Sequence, residues 1–149
     1  MLGGVTVGQR GFTLLELIVT LFVLALAVGL SAPTLGRSVH ALRARSEVAG
    51  FSAVFRHARE QAITTQRTHA VVVDPVARRV TVIAGEQDVR ATRGLPRHLV
   101  VEASPPPALT VRFEPQGIST GGTFHVTSGT LRYRVTVDSL TGRVRTVRE

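Results

Sequence analysis

The chain has 149 residues, enough for about one ordinary domain, and a formal charge of +8; it contains no Lys, so every basic side chain is Arg. It also contains no Cys, which excludes a disulfide framework, a thiolate metal site and a thiol nucleophile. One Tyr, no Trp and six Phe are too few for the aromatic platforms that stack single-stranded nucleic acid.

Residues 1–11 are Gly-rich and weakly polar, with Arg10 as their one charged side chain. They have nothing to pack and read as a leader. An apolar run of 21 residues follows, from Phe12 to Ala32. As a helix it would span about 30 Å, the thickness of a bilayer's hydrocarbon. Three readings compete for it. A secretory signal would be cut after the apolar run, but Leu30-Ser31-Ala32 followed by Pro33 is a poor site. A plain signal anchor leaves Glu16 unexplained, because an unpaired carboxylate in hydrocarbon costs several kcal/mol. The third reading is a leader cut on the cytoplasmic side, after Gly11.

Gly11-Phe12-Thr13-Leu14-Leu15-Glu16-Leu17 resembles the processing site of type IV pilins and type II secretion pseudopilins. The resemblance implies that a prepilin peptidase cuts after Gly11 and methylates the new amino terminus at Phe12. It implies that Glu16 pairs with the Phe12 amino terminus of a neighbouring subunit, which neutralises both charges and sets the register of a helical assembly. Snorkelling of Glu16 to the headgroups is the bland alternative.

Pro33, flanked by Gly29 and Gly36, is expected to kink or loosen the helix. Beyond it, Val48, Phe51, Phe55, Ala58 and Ala62 recur at three- and four-residue steps and define one helical face. Arg43, Arg45, Arg56 and Arg59 fall largely on the others. A continuous helix from Phe12 to about Thr65 would be roughly 80 Å long.

From Thr68 the pattern changes to strands. His69 to Asp74 ends at the turn signal Asp74-Pro75, and Arg79 to Ala84 is its hairpin partner. Asp88 to Thr92 is weak, and His98 to Glu102 is stronger. Ser104-Pro105-Pro106-Pro107 is a stiff connection. Leu109, Val111 and Phe113 alternate with polar residues, as do Phe124 with Val126, and Leu131 through Val137. Arg143 to Val147 closes the chain. The expected fold is α+β: a long amino-terminal helix, partly transmembrane, packed on a carboxyl-terminal antiparallel sheet or sandwich. The expected organisation is a leader at 1–11, a transmembrane or filament-core helix at 12–36, and a globular domain at 37–149 with its helix at 37–66 and strands at 68–149.

The segments Phe113-Glu114-Pro115-Gln116-Gly117, Gly121-Gly122-Thr123-Phe124 and Thr141-Gly142-Arg143-Val144-Arg145 resemble the minor pseudopilin H group, the GspH/FimT type. Major pseudopilins of that system carry an acidic calcium loop near the carboxyl end; here Asp138 and Glu149 stand among Arg residues, so no calcium site is expected.

Catalytic patterns are lacking. The five His residues are scattered, with no i,i+4 pair and no carboxylate at ligand spacing, so no metal site is expected. The glycines at 117, 121 and 122 lack the Lys and helix of a phosphate loop. No cofactor is expected, and the chain reads as a non-enzyme. Arg132, Arg134, Arg143 and Arg145 lie on two adjacent expected strands and would form one exposed patch if those strands pair. Such a patch suits DNA or another polyanion; as an alternative it is the charged face of an edge hairpin.

The resemblance implies a minor pseudopilin of the type II secretion pseudopilus, acting in protein secretion across the outer membrane. Its partners would be other pseudopilins, the prepilin peptidase and an inner-membrane assembly platform. It would cross the bacterial inner membrane once, with its amino end cytoplasmic and its domain periplasmic, before assembly. The alternative is a FimT-like minor pilin of a type IV pilus that binds DNA during transformation.

Overall fold

The computed structural model describes residues 12–106 and 108–149, with residues 30–38 described by their backbone alone. Helix α1 runs Leu14–Thr65. Thr13 caps it: the Glu16 backbone N–H donates to both the Thr13 carbonyl at 3.1 Å and the Thr13 Oγ1 at 3.3 Å. The chain divides into two units, Met1–Val39 and His40–Glu149.

In the second unit, eight strands form two antiparallel sheets. They are β1 (His69–Asp74), β2 (Arg79–Ala84), β3 (Asp88–Gly94), β4 (Leu99–Ser104), β5 (Thr110–Phe113), β6 (Gly122–Ser128), β7 (Leu131–Val137) and β8 (Val144–Arg148). One sheet has the order β3-β2-β1-β5 and the other β4-β6-β7-β8. The expected helix-on-sheet α+β architecture is therefore present, with the sheet doubled.

Period-two alternation selects the face that each strand buries. Val71 and Val73, Val80 and Val82, Val111 and Phe113, Phe124 and Val126, and Tyr133, Val135 and Val137 all point inward. They meet the face of α1 formed by Val48, Phe51, Phe55, Ala58 and Ala62, and all of these join one core. The helical face read from spacing is the buried one. Phe51, Phe55 and Phe124 sit at its centre, with ring centroids 5.1, 5.2 and 5.7 Å apart. Such aromatic contacts contribute about 0.5–1.5 kcal/mol each beyond the area they bury.

Strand limits move where pairing overrides local pattern. β3 continues to Gly94 because Arg93 and Gly94 pair with Val80 and Arg79. β4 extends to Ser104, which pairs with Thr123, whereas His98 stays outside the strand. Its Nε2 instead meets Glu47 Oε1 of α1 at 2.7 Å. β8 begins at Val144 because the Arg143 carbonyl accepts from the Asp138 N–H and closes the preceding turn. β3 is exposed along its whole length, and Asp88, Arg90 and Arg93 give that sheet edge the charges that discourage pairing with other chains.

Candidate functional site

Two regions carry the residues singled out above. The first is the start of α1. Glu16 is exposed in its first turn, where the helix dipole favours a negative charge. Phe12, Leu14, Leu15, Leu17, Ile18, Leu21, Phe22 and Leu24 are all more than half exposed, Phe12 by 71%. A helix apolar on every side calls for an apolar surrounding, whether lipid or other helices. Gly11 lies outside the described residues, and Pro33 falls where side chains are not described. Among the described residues, no helix is long and apolar enough to cross a membrane.

The second region is the β7–β8 edge. The two strands pair, with Arg134 opposite Val147 and Thr136 opposite Arg145. Opposed residues share a face, so Arg132, Arg134 and Arg145 lie on the outer face, while Arg143 sits in the turn before β8. Acidic groups interrupt that face. Glu149 ion-pairs with Arg134, and His125 Nδ1 lies 3.4 Å from its other carboxylate oxygen. Desolvation pushes the Glu149 carboxyl up, but the hydrogen bonds and charges of Arg134 and His125 outweigh it and leave the pKa below the ordinary value. Asp138 is held below its ordinary value chiefly by the Thr141 hydroxyl and N–H, each 2.8 Å from its Oδ1, with help from the Arg145 charge. Glu102 stands opposite His125 on the same sheet. Three guanidinium groups thus share their face with Glu149 and Glu102, and the Asp138 carboxylate lies within reach of the Arg145 charge.

The structure also brings together residues that the sequence leaves apart. Arg56 and Arg59 of α1 converge with Arg143 and Arg145 on a groove of about 490 Å³, beside Glu60, Ile63 and Val144. Arg59 is fixed in place. Its Nε donates to the Thr141 carbonyl at 3.0 Å and the Gly117 carbonyl at 3.3 Å. The helix and the edge strand are held together by a hydrogen bond between the Ser52 and Thr146 hydroxyls at 2.8 Å. Spacing placed Arg56 and Arg59 on solvent faces of the helix, and no pattern in the sequence links them to residues 84 to 89 positions further on. No cluster of three or more His, Asp or Glu that could hold a metal ion exists among the described residues.

Residues 47–141 match the family described as type II transport protein GspH. Residues 7–32 match the prokaryotic N-terminal methylation motif. Type II secretion system protein H of Xanthomonas campestris pv. campestris is 32% identical over 143 residues, which cover 91% of this chain and 82% of that protein. Among solved structures, the type IV minor pilin FimU of Pseudomonas aeruginosa superposes with a TM-score of 0.60 at 13% identity, over 70% of this chain and 88% of that one. The minor pseudopilin EpsH of the Vibrio cholerae type 2 secretion system gives 0.56 at 19% identity, over 70% and 96%. At these identities the two structures speak for the fold.

Proposed function

The chain belongs to the GspH family of type II transport proteins, and from that premise we propose how it works as a minor pseudopilin. It is a structural subunit of the type II secretion pseudopilus, it assembles with other pseudopilins, and it serves protein secretion. The observation that carries this is the joint match of one chain to the family over residues 47–141 and to the methylation motif over residues 7–32.

In the proposed cycle the chain is anchored in the inner membrane by the apolar part of α1, with its amino end cytoplasmic and the β-sheet domain periplasmic. Prepilin peptidase cuts between Gly11 and Phe12 and methylates Phe12. A new ammonium group then stands at the positive end of the helix dipole, an unfavourable place for a cation. A carboxylate one turn along, the neighbour's Glu16, neutralises it in a medium where either charge alone is costly. Pro33 loosens the helix on the way from the membrane to the filament. The assembly platform exchanges the helix's lipid surroundings for those of neighbouring helices, so little apolar surface meets water at any stage. The DNA-capturing pilin is not favoured: the 32% identical relative is a secretion protein, and three carboxylates dilute the outer arginine face. Arg132 and Arg134 then act as the solvent-facing charges of β7, beside the edge strand β8.

Mass spectrometry of the mature chain from the producing bacterium tests the processing. The expected amino-terminal peptide begins at N-methylated Phe12. A mature chain that begins at Met1, or after Ala32, would sink the proposed cycle. Deleting the gene should stop exoprotein release into the medium, with wild-type copies restoring it; undiminished release would remove the secretion role.

A further inference from the structure

The groove between α1 and β8 has three properties that do not belong to the helix assembly at the other end of the chain. It is cationic, with Arg56, Arg59, Arg143 and Arg145 set against the single carboxylate of Glu60. It has an apolar floor, in which Ile63 remains 37% exposed beside the partly buried Val144. And its cations keep donors for a ligand: none of Arg56, Arg143 and Arg145 forms an ion pair among the described residues, and Arg145 acts on Asp138 only through its charge. Arg59 uses its Nε to hold the Gly117 and Thr141 carbonyls, which fixes the guanidinium plane at the groove wall.

From this juxtaposition we propose that the groove binds an acidic, partly apolar segment of a partner protein. Guanidinium groups match carboxylates bidentately, and Arg loses less freedom than Lys in doing so. Ile63 and Val144 give an apolar side chain between the carboxylates something to cover. A nucleic-acid backbone would satisfy the arginines but would leave that floor in water. The volume of the groove lies in the range of about 300–1,000 Å³ that takes small ligands, enough for a few side chains but not for a whole domain. The contact is one of peptide into groove, distinct from the helix-to-helix contact through Glu16.

The test uses the full chain in non-ionic detergent micelles and fluorescence anisotropy. The probes are labelled peptides alternating glutamate with leucine, glutamine with leucine, and glutamate with serine, together with a labelled DNA duplex. The glutamate–leucine peptide should bind tightest, and its affinity should fall as salt rises. Arg143→Gln with Arg145→Gln should weaken it by about tenfold or more. Arg56→Gln, on a different element, should weaken it in the same direction. Arg132→Gln with Arg134→Gln, on β7 and outside the groove lining, should leave it within about twofold. The proposal is overturned if the glutamine–leucine peptide binds as well, if the glutamate–serine peptide binds as well, or if the β7 pair, Arg132 with Arg134, costs as much as the groove pair. It is also overturned if the duplex binds more tightly than any peptide.

Discussion

Gly142 shows how much one position can carry. Its φ of +62° is a conformation that L side chains rarely adopt. A Cβ there would collide with the Gly117 carbonyl oxygen and stand 2.9 Å from Arg59 Nε. Gly117, at φ +86°, lies on the facing loop. The two glycines let two loops close on one guanidinium, so that a single side chain of α1 ties both loops to the helix. Gly142→Ala is expected to cost about 2–4 kcal/mol, because positive φ and steric overlap act together. Urea unfolding of the native chain and of Gly142→Ala measures it. A loss below about 0.5 kcal/mol would mean that the loops shift freely, and would weaken the case for a preformed groove.

At the scale of elements, β8 is the edge strand of its sheet, and little besides β7 and α1 holds it. Ser52 with Thr146 secures its inner face, and Glu149 with Arg134 and His125 secures its end. The sign of the pH effect follows from the lowered Glu149 pKa. A depressed folded pKa means that the pair stabilises β8 fully above the ordinary value of 4.5 and loses that contribution as pH falls through the folded value. Carboxyl NMR titration should therefore place Glu149 below 4.5 and Asp138 below 3.8. In Glu149→Gln, the acid-induced shift of the β8 amides that accompanies this titration should vanish. A Glu149 midpoint at or above 4.5 would show that the pair does not persist in solution. The same element explains why the arginine patch is weaker than its sequence suggests. The strands that align Arg132, Arg134 and Arg145 also bring Glu149 and Glu102 onto that face, from positions 15 and 32 residues away from Arg134.

At the scale of the whole molecule, the two units use apolar residues in opposite ways. The second unit buries them: Phe55, Phe113 and Phe124 are fully enclosed. The first leaves Phe12, Leu14 and Leu15 exposed and waits for other molecules to cover them. On the proposed cycle, a chain built this way completes its apolar helix by assembly. Glu16→Ala should spare cleavage and domain folding, because Glu16 is exposed and the core residues all belong to the second unit. It should reduce incorporation into the pseudopilus by about tenfold or more, the consequence of leaving a neighbour's ammonium unpaired in an apolar surrounding. Crosslinking of assembled subunits in membranes reads this out, and undiminished assembly would remove the pairing role.

Local pattern was enough to place most elements of this fold. Alternation over Leu131–Val137 and the three- and four-residue steps from Val48 to Ala62 state which side of each element seeks the core, because burial follows side-chain direction and that direction follows the backbone period. The motif from Gly11 to Glu16 was equally legible, since its chemistry depends on contiguous residues. The hairpin of β1 with β2 was legible too, but pairing between strands that are not chain neighbours was not. β5 leaves its chain neighbours to pair with β1, and β4 pairs with β6, choices made by the shape of the shared core rather than by any turn. Nor was the meeting of Arg56 and Arg59 with Arg143 and Arg145. Periodicity records whether a residue faces the core or the solvent, but two solvent-facing residues become neighbours only when packing brings their elements together. What this protein is could be read from its order of residues; where its free charge gathers was decided by the way α1 lies against β8.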